Sequence, residues 1–137
     1  MAVTAGYSGT PLVRKLGLKP GHRIAVINAP PDFRTTLGSL PPKAQLSDRL
    51  GTDLDAIVAF VEWEKDLRAG FPKLIKSVKP DGMIWVAWPK KSARRPGDMT
   101  EDRVRAVALP IGFVDIKVCA IDEVWSGLKL VLRLEKR

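Results

Sequence analysis

The chain has one cysteine, Cys119, and one histidine, His22, in 137 residues. A single cysteine excludes an internal disulfide and fits a reducing compartment. One cysteine and one histidine also do not make a zinc site, which draws on several such ligands. No apolar run approaches the ~20 residues that span a bilayer. The opening residues, Met1 to Gly9, lack the basic segment and apolar core of a secretion signal, so a cytoplasmic protein is expected. Acid is missing from the first 31 residues, which carry Arg14, Lys15, Lys19 and Arg23. It is missing again from Pro89 to Gly97, which holds Lys90, Lys91, Arg94 and Arg95.

What is present is globular. Apolar residues make up 45% and mean hydropathy is -0.03, values of a chain that buries a core. The length predicts one domain over residues 1–137. A net charge of +8 attracts anions: phosphorylated metabolites, nucleic acid or an acidic protein partner. A plain solvated basic surface is the competing reading.

The stretch Lys79 to Lys91 organises the rest. Pro80 stops a helix, Asp81-Gly82 supplies a turn, and Met83 to Trp88 is an unbroken apolar run. Such a run marks a strand covered on both faces. Upstream, Thr10-Pro11 opens a helix, with Thr10 as cap and Gly17 as its close. Arg23 to Asn28 is a first strand and Leu54 to Val61 a second. Asp32 to Gly38 reads as a short helix, and Ala44 to Arg49 as a short edge strand. Leu67, Phe71, Leu74, Ile75 and Val78 share one helical face, interrupted by Gly70 and Pro72, so either one kinked helix or two short ones fit. Asp98 or Thr100 caps a later helix with Val104, Val107, Ala108 and Ile111 inside, closed by Gly112. Phe113 to Ile121 and Leu128 to Leu134 are the last strands, joined by a turn from Asp122 to Gly127.

Strands alternating with helices through short connections predict a parallel sheet, and the final pair must be antiparallel. The expected fold is a compact Rossmann-like α/β domain, with a mostly parallel sheet ending in an antiparallel hairpin and flanked by helices. From about residue 53 to residue 135 this plan resembles class I S-adenosylmethionine-dependent methyltransferases. In that family the first strand enters a Gly-x-Gly loop. Here it enters Asn28-Ala29-Pro30-Pro31, and no acid at the end of a second strand is identifiable. The resemblance therefore implies the fold more than methyl transfer. Four motifs, Gly6-Tyr-Ser-Gly-Thr-Pro-Leu12, Asn28-Ala-Pro30, Trp88-Pro-Lys-Lys91 and Asp122-Glu-Val-Trp-Ser-Gly-Leu-Lys129, also resemble a family of small bacterial proteins of unknown function. That resemblance implies a cytoplasmic single-domain protein; it does not imply an activity.

Ligands of open α/β sheets bind beyond the carboxyl ends of the strands. In the expected fold, Asn28, Glu62, Trp63, Trp88, Lys90, Lys91, Asp122, Trp125 and Ser126 gather there. Lys90 and Lys91 are candidate anion binders, Trp88 and Trp125 candidate lids or stacking platforms. Asp122 and Glu123 are adjacent, so they do not face one site as a carboxylate pair, and turn solvation or an ion pair with Lys90 or Lys91 is their alternative. His22 lies before the first strand, away from Ser126, which disfavours a Ser–His mechanism. Cys119 reads as a buried thiol. The glycines and hydroxyls of Gly6 to Thr10 are a candidate phosphate loop or a plain cap, without the lysine ending of a triphosphate loop. The reading is a non-catalytic module with no cofactor and no metal, binding an anionic small ligand or acidic partner. The alternatives are nucleic-acid binding through Lys90, Lys91, Arg94 and Arg95, and a degenerate methyltransferase-like enzyme. An exposed tryptophan edge would also serve as a homodimer surface.

Overall fold

The computed structural model describes residues 10–137. Among these residues six strands form one sheet: β1 (Arg23–Ile27), β2 (Gln45–Ser47), β3 (Leu54–Phe60), β4 (Val78–Pro89), β5 (Phe113–Ala120) and β6 (Trp125–Leu132). Their spatial order is β2-β1-β3-β4-β6-β5. The first four run parallel, and β6 is antiparallel to both of its neighbours. The helices are α1 (Leu12–Lys15), α2 (Phe33–Leu37), α3 (Glu64–Ser77) and α4 (Glu101–Ala108). The mostly parallel sheet with a terminal antiparallel hairpin is the architecture that the alternation of elements predicts.

The period of two along each strand divides the core into two layers. Ile57 and Ala59 of β3, Ile84, Val86 and Trp88 of β4, and Leu128 and Leu130 of β6 face α3 and α4. Ala56, Val58 and Phe60 of β3, with Met83, Trp85 and Ala87 of β4, face α1 and α2. Each large side chain buried this way contributes about 1.5–3 kcal/mol of transfer free energy. Trp85 is fully buried, and its indole N–H donates to the Leu16 carbonyl at 2.9 Å, tying α1 to the sheet.

The structure corrects or refines four details of the expectation. Pro11, not Thr10, stands at the N-cap of α1, with no side-chain cap. Of the two arrangements the pattern allows around Pro72, the structure has the single helix, α3. Pro72 and Arg68 both lie on its exposed side, so the carbonyl that loses its partner is open to water. The Asp81-Gly82 turn is a bulge inside β4, where Leu54 to Ala56 run opposite Val78 to Met83. Gly82 permits it, because a Cβ there would stand 3.0 Å from the carbonyl oxygens of Leu54 and Asp55. Lastly, β6 begins earlier than expected, at Trp125, and Leu134 lies beyond it, 77% exposed. The alternation of leucines continues in the sequence after the strand has ended, and only Leu128 and Leu130 are fully buried.

Candidate functional site

The sheet order reverses between β1 and β3, because β1 leads through α2 to β2 on one side while β3 pairs with its other side. A crevice opens there beyond the strand ends. A cavity of about 470 Å³ occupies it. Ile27, Asn28, Pro30 and Pro31 form one wall, and Ala59 to Trp63 form another. Leu67, Gly70 and Leu74 of α3 supply the floor. Asp66, Lys73, Arg95 and Trp125 complete the lining, so an apolar body carries a few polar groups, as ligand sites do.

Asn28 has a φ of 57°, the left-handed conformation that favours glycine and that asparagine tolerates best among other residues. The turn out of β1 is thus made by Asn28 in the loop where the methyltransferase resemblance places glycines. Pro30 and Pro31 follow and offer no amide donors.

The basic loop after β4 folds back over this crevice and is pinned at both ends. At its start, the Lys90 amide donates to the Val124 carbonyl at 2.7 Å, and Lys90 Nζ donates to the Asp122 carbonyl at 2.8 Å. At its end, the amides of Asp98 and Met99 donate to the Glu62 carbonyl at 2.9 and 3.2 Å. Asp98 Oδ1 also accepts from the Glu64 amide at 2.7 Å, so α3 takes its cap from a residue far along the chain. Gly97, at a φ of 147°, lies against the Glu62 backbone, where no Cβ fits. This places the Arg95 guanidinium 3.1 Å from the Glu62 carboxylate and 5.1 Å over the Trp125 ring. Trp125 in turn packs edge-to-face on Phe60 at 5.0 Å. A second cavity of about 240 Å³ lies beside the first, lined by Lys90, Lys91 and Asp98 among others. Glu62 and Arg95 line both.

The structure therefore divides the expected site residues. Asn28, Glu62 and Trp125 meet in the large cavity, and Lys90, Lys91, Glu62 and Arg95 in the small one. Trp88 points into the core under α3 and α4. Ser126 lies opposite it in β6. The Asp122 carboxylate accepts from the Val124 and Trp125 amides, both at 2.8 Å, and shapes the hairpin turn. Arg94 is exposed and left-handed at a φ of 54°. Gly6 to Gly9 of the candidate phosphate loop fall outside the described residues.

The α3 contribution was missed in the sequence. Its signal is Gly70, a glycine inside a helix, which costs stability unless the space it leaves is used. A Cβ at Gly70 would meet nothing within 4 Å.

The remaining candidate chemistry is quiet. Burial pushes the Cys119 thiol up, and it lies in β5, away from the crevice. His22 accepts from the Lys19 amide at 3.1 Å near the start of β1. No group of metal-ligating side chains occurs among the described residues. No helix among them is long and apolar enough to cross a membrane.

No protein-family model and no curated protein matches the chain. In structure, it is similar to a SAM-dependent methyltransferase from Aquifex aeolicus, at a TM-score of 0.63 and 13% identity over 89% of this chain and 88% of that one. It is also similar to a ribosomal protein methylase from Lactobacillus delbrueckii subsp. bulgaricus, at 0.58 and 13% over 89% and 75%. A third likeness is to magnesium protoporphyrin IX methyltransferase from Synechocystis with bound SAH, at 0.54 and 13% over 89% and 78%. At such identities the likeness is one of architecture: the chain has a methyltransferase-like Rossmann fold.

Proposed function

We propose that the chain is a non-catalytic binding module on this fold, taking a small anionic ligand at the carboxyl edge of the sheet. The apolar body of the ligand lies in the large cavity and its anionic end reaches the small one. The observation that carries this is the shared wall: Glu62 and Arg95 line both cavities. Arg95 is already neutralised by Glu62, so an anion reaching it competes with that carboxylate and gains from Lys91 next to it. Lys90 serves the loop rather than the ligand, because its ammonium holds the Asp122 carbonyl. The non-catalytic reading is supported by the absence, among the described residues lining the crevice, of a histidine or cysteine that would act as base or nucleophile. The same anionic chemistry on an acidic protein partner would use Lys91 and Arg94, both exposed.

A second reading, a degenerate methyltransferase-like enzyme, is favoured by Asp48. It follows β2 directly and lines a further cavity of about 370 Å³ with Asn28, Pro30 and Pro31. That is the strand end where the resemblance leads one to look for an acid. The fit to the cofactor is partial, because Pro30 and Pro31 leave the loop without the amides a Gly-x-Gly loop offers.

The test is a thermal-shift screen with phosphorylated metabolites, other small carboxylates, S-adenosylmethionine and its demethylated product. A shift with an anionic compound that shrinks in Arg95→Gln supports the binding module. A shift with S-adenosylmethionine that is lost in Asp48→Asn and unchanged in Arg95→Gln moves the assignment to the second reading. Silence across the panel overturns both.

A further inference from the structure

A second basic surface lies on the other side of the molecule, under α1, and the crevice does not use it. Lys117 of β5 and Lys129 of β6 are directly paired across the hairpin. Like charges in that position destabilise a sheet. Lys129 Nζ lies close to the position a Cβ would take on Gly17, in the turn that also carries Lys19. Lys117 Nζ donates to the Lys15 carbonyl at 3.1 Å, so the C-terminal end of α1 sits between the lysines. Lys19, Lys117 and Lys129 have no carboxylate partner among the described residues. Two acids, Asp55 and Asp81, line the depression that Lys19 and Lys129 share. The Asp55 carboxylate is taken by the Arg23 amide and the Lys79 ammonium, at 2.8 and 2.9 Å, so Asp81 is the acid set against the three lysines. Burial and then the charges of Lys117 and Lys19 push the Lys129 ammonium down. The arrangement is costly for the free protein and complementary to an anion that neutralises several lysines at once.

We propose that the face formed by Lys19, Lys117 and Lys129, with Arg14 and Lys15 of α1 beside it, binds the phosphate backbone of double-stranded nucleic acid. Lysines are flexible point charges, suited to backbone phosphates rather than base edges. Among the described residues the face also carries no stacking platform: Trp85 beneath it is fully buried and its N–H is bonded to Leu16, while Trp63 and Trp125 stand at the crevice. Single-strand binding relies on such platforms, so duplex is the expected form.

The experiment is fluorescence anisotropy with a labelled duplex of mixed sequence, titrated from 50 to 200 mM salt, on the full chain. The wild type is expected to bind with an affinity that falls steeply with salt. Lys117→Gln with Lys129→Gln is expected to lower the slope of log K against log salt by about 2, at roughly 0.9 for each phosphate no longer neutralised. The control pair Lys91→Gln with Arg94→Gln, in the crevice loop, is expected to keep the wild-type slope. A structural role would show as a lower melting temperature for the β5–β6 pair. Removal of a like-charge pair predicts one that is equal or higher. No duplex binding at 50 mM salt, an unchanged slope in the β5–β6 variant, or loss of binding in the loop variant alone overturns the proposal. So does stabilisation by pyrophosphate without duplex binding.

Discussion

Gly97→Ala is the sharpest test of how the crevice is held. The new methyl group would run into the Glu62 carbonyl oxygen, and that oxygen is main chain, so no side chain can simply swing away. At a φ of 147° the backbone conformation is itself costly for alanine, by roughly 1–3 kcal/mol. Relief requires the loop to lift from Glu62, which stretches the two amide bonds from Asp98 and Met99, at ~1 kcal/mol each. It also draws the Asp98 carboxylate from the Glu64 amide, a cap worth ~1 kcal/mol. These effects share one movement and do not add fully, so a loss of ~3 kcal/mol is expected. An unfolding entropy of ~2.1 cal/mol/K per residue over 137 residues turns that into a fall of ~10 °C. Thermal and urea unfolding, followed by circular dichroism, measure it. Gly51→Ala is the control, because nothing lies within 4 Å of a Cβ there, and it should stay within ~0.5 kcal/mol of wild type. A Gly97→Ala loss below ~1 kcal/mol would refute the pinned loop.

Other outcomes follow from the same contacts. Trp85→Phe leaves the Leu16 carbonyl without its partner in a buried setting and is expected to cost ~1–3 kcal/mol, read by urea unfolding. Gly70→Ala, in the interior of α3 with open space before it, is expected to stabilise by ~0.5–1 kcal/mol in the same assay. Burial pushes the Asp55 carboxyl up, but the Arg23 amide and the Lys79 ammonium outweigh it and hold the group below its ordinary value of 3.8. Its folded-state pKa is depressed, so its stabilisation is present above the unfolded value and is lost as pH falls through the folded one. Stability measured from pH 5 downward should therefore drop less steeply in Asp55→Asn than in wild type. Cys119, buried and with its thiol pushed up, should resist alkylation at pH 8 until denaturant is added.

Much of the frame was legible in the sequence because it rests on local rules. The apolar runs Leu54 to Val61 and Met83 to Trp88 have the length and composition of strands buried on both faces, and they are β3 and β4. Thr100 caps α4 by accepting from the Arg103 amide at 3.2 Å, as its place before two acids suggests. Even the edge strand near Ala44 was visible, as β2. What was not legible depends on partners distant in the chain. The cap of α3 comes from Asp98, which no local pattern connects to Glu64. Trp88 and Trp125 look alike as tryptophans near strand ends, yet the pleat sends Trp88 under α3 and Trp125 toward the crevice. Lys90 and Lys91 are neighbours with different fates, one holding a carbonyl of the hairpin turn and the other exposed. Pro72 reads as either a kink or a break because propensity is local, and the packing of Leu67, Phe71 and Leu74 goes with an unbroken α3.

The central claim is that a ligand occupies the cavity between β1 and β3. Its most direct test is a thermal-shift titration of wild type and Gly70→Leu side by side, using the compound that gives the largest shift in the screen. Gly70 lines the cavity, a Cβ there meets nothing within 4 Å and leucine is a good helix former, so Gly70→Leu is expected to crowd the site while leaving the fold. At ~100 times its dissociation constant the ligand should stabilise the wild type by ~2.7 kcal/mol, several degrees for this length, and leave Gly70→Leu unmoved. Equal shifts in both proteins would place the ligand elsewhere and contradict the claim.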